Sequence, residues 1–361
     1  MKKLMSAVAY AALISAPAAA EEVLHVYNWS DYIAEDTIAL FEKQTGIKVV
    51  YDVYDSNEVL EAKLMAGNTG YDVVTPSGEF MQRQIGAGIY AELDKSQLPN
   101  LKHMDPTLTK AAAQYDPGNA YGVIYMWGTT GLGYNVDMVR ERLGEDAPTD
   151  SLALLFDPKN AEKLQDCGVV LPDAPTEVFP AAMKYLGLNP ESKDKADFEK
   201  AAEAVKKIRP FVRYFHSSQY ISDLANGDIC LVLGWSGDVL QSRDRAEEAG
   251  NGIKVGYSIP KEGAMQWMDM LGIPADAPHK EAAHKFLNFM MDPRITANNT
   301  NFVWYANANL ASLPLVDPEI TSDPGIFPPQ EVKDKLWTAV AYGKKMDRVI
   351  TRLWTSLKTG H

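Results

Sequence analysis

The fold is best predicted from one stretch of the sequence, Val23-Leu-His-Val-Tyr-Asn-Trp-Ser-Asp-Tyr32. Its first half, 23–27, is a short β-rich run typical of a buried strand. Four side chains follow before a helical pattern begins: Trp29, Ser30, Asp31 and Tyr32. In open α/β sheets, ligands bind outside the carboxyl ends of the strands. We therefore expect these four residues to form one wall of a binding cleft.

The first hundred residues alternate strand and helix patterns. The predicted elements are strands over 23–27, 48–53 and 71–75, and helices over 35–44 and 56–67. This order indicates a parallel sheet covered on both faces. Ser77 follows the third strand and is expected at the same sheet edge as Trp29. Ser77 also fits the N-cap of a helix over 79–85, and the two roles are compatible.

A second α/β block lies between two glycine-containing strands, 121–134 and 254–260. Both strands are candidates for crossings between two lobes, although the first also fits an ordinary hairpin. Within the block, Glu177 starts a helix after a short strand, and a buried strand over 229–233 ends in Trp235 and Asp238. Ordinary core packing explains any single strand-end tryptophan. The recurrence of Trp with Asp in both blocks favours a functional interpretation.

These patterns predict an α/β protein with two lobes that are discontinuous in sequence. The expected divisions are 1–20 as an export signal, 21–128 with 260–310 as lobe 1, 129–259 as lobe 2, and 311–361 as a C-terminal helical segment packing across the lobes. The last two helices are expected over 329–339 and 347–357.

The N-terminus has the features of an export signal. Lys2 and Lys3 precede an apolar run over 5–14, and Ala18-Ala-Ala20 offers a small-residue cleavage site. The apolar run is too short to span a bilayer, and no cysteine follows it to carry a lipid. We expect a soluble exported chain beginning near Glu21, with a buried helix of the fold as the alternative.

Charge and cysteine content narrow the function further. The formal net charge of −13 argues against binding of nucleic acid or anionic membranes and favours cationic partners, although acidity also serves solubility.

Cys167 and Cys230 are the only cysteines. In an exported protein such a pair predicts a disulfide, with two buried thiols as the alternative. The bond would close a loop of about 63 residues and contribute about 4 kcal/mol.

Catalytic and cofactor motifs are missing from the sequence. It contains no His-Glu-x-x-His, no Gly-x-Ser-x-Gly and no phosphate loop, and the glycines at 131 and 133 do not complete a dinucleotide fingerprint. The six histidines are scattered. We therefore expect neither a cofactor nor a metal.

Asp269 is the most informative single residue, because it lies inside the apolar run Trp267-Met-Asp-Met-Leu271. Trp267 and Asp269 share one face of a strand. Burying a charge is unfavourable unless it is paired, so the missing partner is either a ligand cation or a distant Lys or Arg. An ammonium gains about 0.5 to 2 kcal/mol over an aromatic face and about 1.5 to 3 kcal/mol from a carboxylate.

Five motifs are distributed over the mature chain. They are Val26-Tyr-Asn-Trp-Ser-Asp-Tyr-Ile33, Tyr51-Asp-Val-Tyr-Asp-Ser-Asn-Glu58, Arg213-Tyr-Phe-His-Ser-Ser-Gln-Tyr220, Ile259-Pro-Lys-Glu-Gly-Ala264 and Tyr305-Ala-Asn-Ala-Asn309. Together they resemble bacterial polyamine-binding proteins, the periplasmic putrescine/spermidine receptors of ABC importers. The similarity spans essentially the whole mature chain.

The resemblance implies a type II periplasmic-binding fold, a cleft that closes, delivery of the ligand to an inner-membrane permease, a monomer and no catalysis. It also implies roles for single positions. Aromatic walls are Trp29, Tyr32, Trp235 and Tyr305; polar contacts are Ser30, Asp31 and Ser77; amine-binding carboxylates are Glu177, Asp238 and Asp269; and Cys167 and Cys230 are bridged. Trp267 stands where close relatives have Phe, which is expected to affect the choice between a diamine and a triamine.

Two other classes of function remain open at this stage. One is a receptor for another cation, such as a basic amino acid, or for a sugar stacked on Trp29 and Trp235. The other is an exported enzyme that uses Glu177 with Asp238 or Asp269 as an acid/base pair.

Overall fold

The computed structural model describes residues 22–360. The expected export signal over 1–20 and the start of the mature chain near Glu21 lie outside the described residues. Within 22–360, no helix is long and apolar enough to cross a membrane.

The described residues contain eleven strands. In chain order they are β1 Val23–Trp29, β2 Lys48–Tyr54, β3 Val73–Val74, β4 Gly122–Asn135, β5 Val169–Leu171, β6 Val212–Phe215, β7 Leu231–Trp235, β8 Val255–Ser258, β9 Met265–Gly272, β10 Ala306–Asn307 and β11 Trp337–Thr338.

The same part of the chain contains sixteen α-helices and four short 3₁₀ helices. The α-helices are α1 Thr37–Thr45, α2 Asn57–Ala66, α3 Gly78–Gly86, α4 Pro106–Ala112, α5 Val136–Leu143, α6 Ala153–Phe156, α7 Pro158–Leu164, α8 Pro175–Tyr185, α9 Lys195–Ile208, α10 Tyr220–Asn226, α11 Ser236–Ala249, α12 Lys280–Met290, α13 Pro293–Val303, α14 Pro318–Thr321, α15 Gln330–Lys333 and α16 Lys344–Thr359. The 3₁₀ helices are Lys95–Gln97, Pro99–His103, Arg209–Phe211 and Leu313–Leu315.

The strands form a mixed sheet whose two ends are parallel and whose centre is antiparallel. Its order is β2-β1-β3-β9-β4-β7-β5-β6, with β8 and β10 paired to β4 and β11 paired to β9. Strand β1 is parallel to β2 and β3, and β5 is parallel to β6 and β7. The central strands β9 and β4 run antiparallel to each other and to their outer neighbours. Two parallel halves joined by antiparallel strands confirm the two-lobed α/β fold expected from the sequence.

Strand β4 joins the two halves as one strand of 14 residues. Its first part, 122–130, pairs with β9, and its last part, 130–134, pairs with β7. Strand β8 also pairs with the last part. The hairpin interpretation of 121–134 is therefore wrong, because the glycines of this segment lie within a continuous strand rather than in a turn.

Local signals in the sequence set several helix boundaries. Ser56 caps α2, since its side-chain oxygen accepts a hydrogen bond from the backbone N–H of Val59 at 3.3 Å. Helix α1 ends at Gly46, whose φ of 75° is readily adopted by glycine. These boundaries place the carboxyl ends of β1, β2 and β3 next to the starts of the following helices.

The C-terminal segment differs from its prediction. A helix over 329–339 was expected, but α15 covers only Gln330–Lys333 and is followed by β11, which pairs with β9. Pairing with an existing strand edge satisfies backbone groups of this segment that a longer helix would have satisfied internally. Helix α16 packs on α8 and α9, and Arg83 of α3 lies 3.2 Å from Asp347 of α16.

Cys167 and Cys230 form a disulfide, with their Cα atoms 5.5 Å apart. This confirms the predicted pairing and excludes the two free thiols. The cysteines precede the neighbouring parallel strands β5 and β7. The bond therefore lies at the starts of these strands, at the opposite end from their ligand-binding edge.

Candidate functional site

One cavity, called the cleft below, lies between the two halves of the sheet. It contains about 410 Å³ not occupied by protein atoms, including its opening to solvent. The side chains that line it are Trp29, Ser30, Tyr32, Asp55, Asn57, Ser77, Glu177, Trp235, Asp238, Trp267, Asp269 and Tyr305. The structure thus brings together ten of the eleven side chains that sequence analysis selected. No lining side chain is basic.

Asp269 is held by hydroxyl groups at one end of the cleft. Tyr32 Oη donates to Asp269 Oδ2 at 2.8 Å, and Ser77 Oγ donates to Oδ1 at 2.6 Å. Asn57 in turn donates to Ser77 Oγ at 2.9 Å and accepts from the Ser77 backbone at 3.0 Å. This chain of hydrogen bonds fixes the Ser77 hydroxyl toward Asp269.

Asp238 is held in the same way at the start of α11. Tyr305 Oη donates to Asp238 Oδ1 at 2.6 Å, and Tyr220 Oη donates to Oδ2 at 2.7 Å. Tyr305 can come this close because Gly237 has no side chain; a Cβ there would lie 2.4 Å from the Tyr305 ring. The Tyr305–Asp238 bond joins the chain after α13 to the second α/β block.

Glu177 is the third buried carboxyl of the cleft. It lies in the first turn of α8, and Thr130 Oγ1 donates to its Oε2 at 2.6 Å. Thr130 belongs to β4, where this strand passes from β9 to β7. Glu177 therefore projects toward the middle of the sheet, as expected for the carboxyl end of β5.

Aromatic rings form the walls between these carboxyls. Trp29 and Trp235 meet edge to face with ring centroids 5.6 Å apart, and Trp29 Nε1 donates to Thr75 O at 2.8 Å. The centroid of the Tyr305 ring lies 5.1 Å from that of Tyr32 and 5.3 Å from that of Trp267, and both pairs also meet edge to face. These contacts hold the rings in place and leave aromatic surface facing the cleft.

Burial raises the pKa of all three carboxyls. The pKa of Asp269 rises to about 7, although its hydrogen bonds from Ser77 and Tyr32 act in the opposite direction. Burial likewise raises the pKa of Asp238 and of Glu177 to about 7. Ionising these groups in the empty cleft is unfavourable, and a bound cation would reverse this effect.

Among the described residues, no Lys or Arg pairs with Asp269. The only side chains that influence its pKa are the hydroxyl groups of Ser77 and Tyr32. The distant salt bridge considered as an alternative is therefore absent within 22–360. A carboxyl that is 3% exposed and held only by neutral donors still lacks a countercharge.

Asp31 is the one selected residue that the structure places outside the cleft. Its φ of 54° turns the chain after β1, and its carboxylate pairs with Arg245 of α11 at 2.7 Å. Gln241 Nε2 also donates to the Asp31 carbonyl oxygen at 3.3 Å. Asp31 therefore connects β1 to α11 at the cleft edge.

Two lining residues, Asp55 and Asn57, were not selected from the sequence. Both follow β2, a parallel neighbour of β1. The rule that was applied to the ends of β1 and β3 also predicts them at the end of β2. Asn57 is the first residue of α2, and the residue before it, Ser56, caps this helix.

The fold and the cleft are those of a two-lobed binding protein with an acidic, aromatic site at the strand ends. The sequence profile of the bacterial extracellular solute-binding proteins matches residues 36–328. The chain belongs to this family.

Individual relatives are also similar over nearly the whole chain. The putrescine-binding periplasmic protein PotF of Escherichia coli is 55% identical over 344 residues, covering 95% of this chain and 93% of PotF. The putrescine-binding periplasmic protein SpuD of Pseudomonas aeruginosa is 54% identical over 345 residues, covering 96% and 94%.

A solved structure shows the same architecture. The spermidine/putrescine ABC transporter substrate-binding protein PotD of Streptococcus pneumoniae superposes with a TM-score of 0.74 at 26% identity, covering 94% of this chain and 99% of that protein. These relatives are binding proteins and not enzymes, which confirms the expectation that the chain is non-catalytic and removes the acid/base enzyme from consideration.

Proposed function

We propose that this chain is a periplasmic receptor that binds a linear polyamine, putrescine or spermidine, in the cleft and delivers it to an ABC permease. The observation that carries the proposal is the cleft itself, where three buried carboxyls lie among aromatic rings with no basic side chain. The names of the relatives support the choice of a polyamine.

The two best-held carboxyls suit the two ends of a diamine. Asp269 and Asp238 each receive two hydroxyl donors, yet each carboxylate oxygen retains a free lone pair for an ammonium group. Trp29 and Trp235 provide the surface for the methylene chain, and Glu177 provides a further acceptor. Ser30, Tyr32, Ser77, Trp267 and Tyr305 complete the binding set.

The chemistry of the cleft disfavours the other ligands considered. A basic amino acid brings its own carboxylate, which would meet further carboxylates and no basic lining residue. A sugar would stack on the tryptophans but would leave three buried carboxyls without a countercharge. A diammonium ion neutralises the site without adding negative charge.

Binding is proposed to select a closed arrangement of the two lobes. Lobe 1 comprises 21–128 and 260–310, lobe 2 comprises 129–259, and the segment 311–361 packs across them. In this division the Tyr305–Asp238 and Asp31–Arg245 contacts link the lobes. Asp31 thus acts through closure rather than through contact with the amine.

The cellular setting follows from the same reasoning. The features of residues 1–20 support export with a cleaved signal, and the relatives are named periplasmic proteins. The protein is proposed to work as a monomer that hands its ligand to the permease.

Calorimetric titration of ligand-free protein tests the proposal. Protein that has been unfolded, dialysed and refolded should bind putrescine or spermidine, and should not bind lysine or glucose. Asp238→Asn should weaken amine binding by roughly tenfold or more, because a charge-assisted hydrogen bond contributes about 1.5 to 3 kcal/mol.

Asp244→Asn is the matched control, since Asp244 lies on the same helix but outside the cleft. It should bind amines like the unmodified protein. Absence of amine binding by the unmodified protein, or equal affinity in both variants, would contradict the proposed site.

A further inference from the structure

The last helix of the described chain, α16, has two chemically different faces. On one face, Ile350, Trp354 and Leu357 are buried and belong to the hydrophobic core that α8 and α9 share. The Trp354 ring meets the rings of Phe179 and Phe215 edge to face. The apolar face of α16 is therefore occupied within the molecule, and only the other face is available to a partner.

The exposed face of α16 is basic. Lys344, Arg348 and Arg352 recur every four residues and therefore share one side of the helix, with Lys345 beside them. All four side chains are exposed. At about 1.5 Å per residue, they are spread over roughly 12 Å of the helix axis.

An open groove at the start of α16 adds a further lysine. The residues lining it include Lys193, Lys344, Lys345 and one acidic residue, Asp194. The Asp194 carboxylate caps α9, where it accepts a hydrogen bond from a backbone N–H at 3.0 Å. The term basic face is used below for Lys193, Lys344, Lys345, Arg348 and Arg352.

The basic face has no acidic partners of its own. Asp347, the one acidic residue of α16, pairs with Arg83 of α3 at 3.2 Å. Within 22–360, none of the five side chains of the basic face forms an ion pair or a hydrogen bond. In a chain with a formal net charge of −13, such a cluster indicates a partner that carries negative charge.

Screening by salt makes this local charge more important than the total charge. The Debye length is about 10 Å in 0.1 M salt, which is less than the length of the basic face. A surface that contacts the basic face therefore experiences these five groups and little of the distant carboxylates. The acidic total, which argues against anionic membranes, does not describe this side of the molecule.

The composition of the basic face favours a lipid surface over a protein. Thr351 and Thr355 lie among its basic residues, and no large apolar side chain of 344–359 is exposed. Specific protein interfaces are centred on aromatic or apolar anchors that become buried on binding. Basic clusters bind anionic phospholipid by charge alone.

We propose that the basic face holds the protein reversibly against anionic phospholipid headgroups, without insertion of the chain into the bilayer. The apolar side of α16 stays packed on α8 and α9, so the attraction is electrostatic and sensitive to salt. The contact concentrates the protein at a membrane surface, and it does not depend on which ligand occupies the cleft.

Flotation with vesicles of phosphatidylcholine and phosphatidylglycerol in equal parts tests the proposal, with pure phosphatidylcholine as the neutral comparison. The ligand-free mature protein should float with the anionic vesicles in about 0.1 M salt. It should be released in about 1 M salt, where the Debye length falls to about 3 Å. The combined substitutions Lys344→Gln, Arg348→Gln and Arg352→Gln should weaken association roughly tenfold or more, since each basic group near an anionic surface contributes about fivefold.

The matched control combines Lys43→Gln, Lys102→Gln and Lys110→Gln. These lysines are exposed and form no ion pair among residues 22–360, but they lie on α1, on the 3₁₀ helix Pro99–His103 and on α4. Their replacement changes the net charge by the same amount. The control should float like the unmodified protein, and thermal melts verify that both variants fold, since glutamine is a good helix former.

Several results would overturn the proposal. They are no flotation of the unmodified protein with anionic vesicles, equal flotation with neutral vesicles, and equal losses in the two triple variants. Binding to right-side-out inner-membrane vesicles that disappears when the vesicles are treated with protease would also overturn it, because the partner would then be a membrane protein.

Calorimetry with putrescine separates this proposal from the proposed function. The triple variant of α16 should bind the amine like the unmodified protein, because none of its substituted residues lines the cleft. A lower amine affinity in this variant would show that the substitutions act on the cleft, and would count against a separate surface. Absence of amine binding by the unmodified protein would remove the proposed function and leave the flotation result unaffected.

Discussion

The substitution Asp269→Asn should stabilise the empty protein while it weakens ligand binding. Asp269 is 3% exposed, and burial raises its pKa from 3.8 to about 7. At about 1.4 kcal/mol for each pKa unit, ionising this group in the folded protein costs up to about 4 kcal/mol above pH 7. An amide of the same shape avoids this cost.

The substitution will not recover the whole cost of ionisation. Two hydroxyl groups donate hydrogen bonds to Asp269, and the NH₂ group of an amide can accept neither of them. We expect a net gain of about 1 to 2 kcal/mol in the free energy of unfolding at pH 8, or a rise in melting temperature of about 1 to 3 °C for a chain of this length. The affinity for a diamine should fall roughly 10- to 150-fold, since a charge-assisted hydrogen bond is lost.

The pH dependence gives the sign of the effect. Because the pKa of Asp269 is higher in the folded protein than in the unfolded chain, the folded state binds the extra proton between about pH 4 and pH 7. The stability contributed by this group is present below pH 4 and is lost as the pH rises to 7. The advantage of Asp269→Asn should therefore be large at pH 8, smaller at pH 5 and absent near pH 3.

Thermal melts of refolded, ligand-free protein at these pH values measure the effect, with calorimetry for binding. Asp116→Asn is the matched control, because Asp116 is also buried but accepts hydrogen bonds from the backbone N–H groups of Ala120, Tyr121 and Gly122 at 2.8 to 3.0 Å. That substitution should lower the melting temperature. A lower melting temperature for Asp269→Asn at pH 8, with diamine affinity unchanged, would refute the reasoning.

Three further predictions follow from the described contacts. Diamine affinity should fall as the pH drops from 8 to 5, with protons released on binding, because burial raises the pKa values of the cleft carboxyls to about 7; identical binding heats in buffers of different ionisation enthalpy would contradict this. Arg245→Gln should speed ligand release about 1.5- to 5-fold in low salt only, since its pair with Asp31 is about one-third exposed; stopped-flow fluorescence measures the rate, and a salt-independent change would argue against the ion pair. Replacing Cys167 and Cys230 with serine should lower the free energy of unfolding by about 4 kcal/mol in urea titrations and leave diamine affinity unchanged; a changed affinity with unaltered stability would show that the disulfide serves the cleft.

Much of the site could be predicted because one rule applies at each strand end. Trp29 after β1, Ser77 after β3 and Trp235 at the end of β7 all lie at the cleft, as parallel strands with crossover helices require. Asp269 was informative for a different reason. A carboxylate inside an apolar run has few acceptable environments, and the structure gives it hydroxyl donors but no countercharge.

Two predictions from the sequence were wrong because they depend on contacts that a local sequence pattern does not show. Asp31 and Ser30 are neighbours, but the left-handed backbone at Asp31 sends its side chain to Arg245 instead of the cleft. The segment 329–339 has a partly helical composition, yet the free edge of β9 captures Trp337 as a strand. Both outcomes depend on groups more than 70 residues away in sequence, which no local pattern reports.

The contact between Trp29 and Trp235 has a practical consequence. Trp29 ends β1 and Trp235 ends β7, and the centroids of their rings lie 5.6 Å apart at 71°, so an opening that moves these two strand ends apart would separate two chromophores. The intrinsic emission and near-ultraviolet circular dichroism of the protein should therefore report its own conformational state. Its conformational change can thus be followed by tryptophan spectroscopy without an added dye or label.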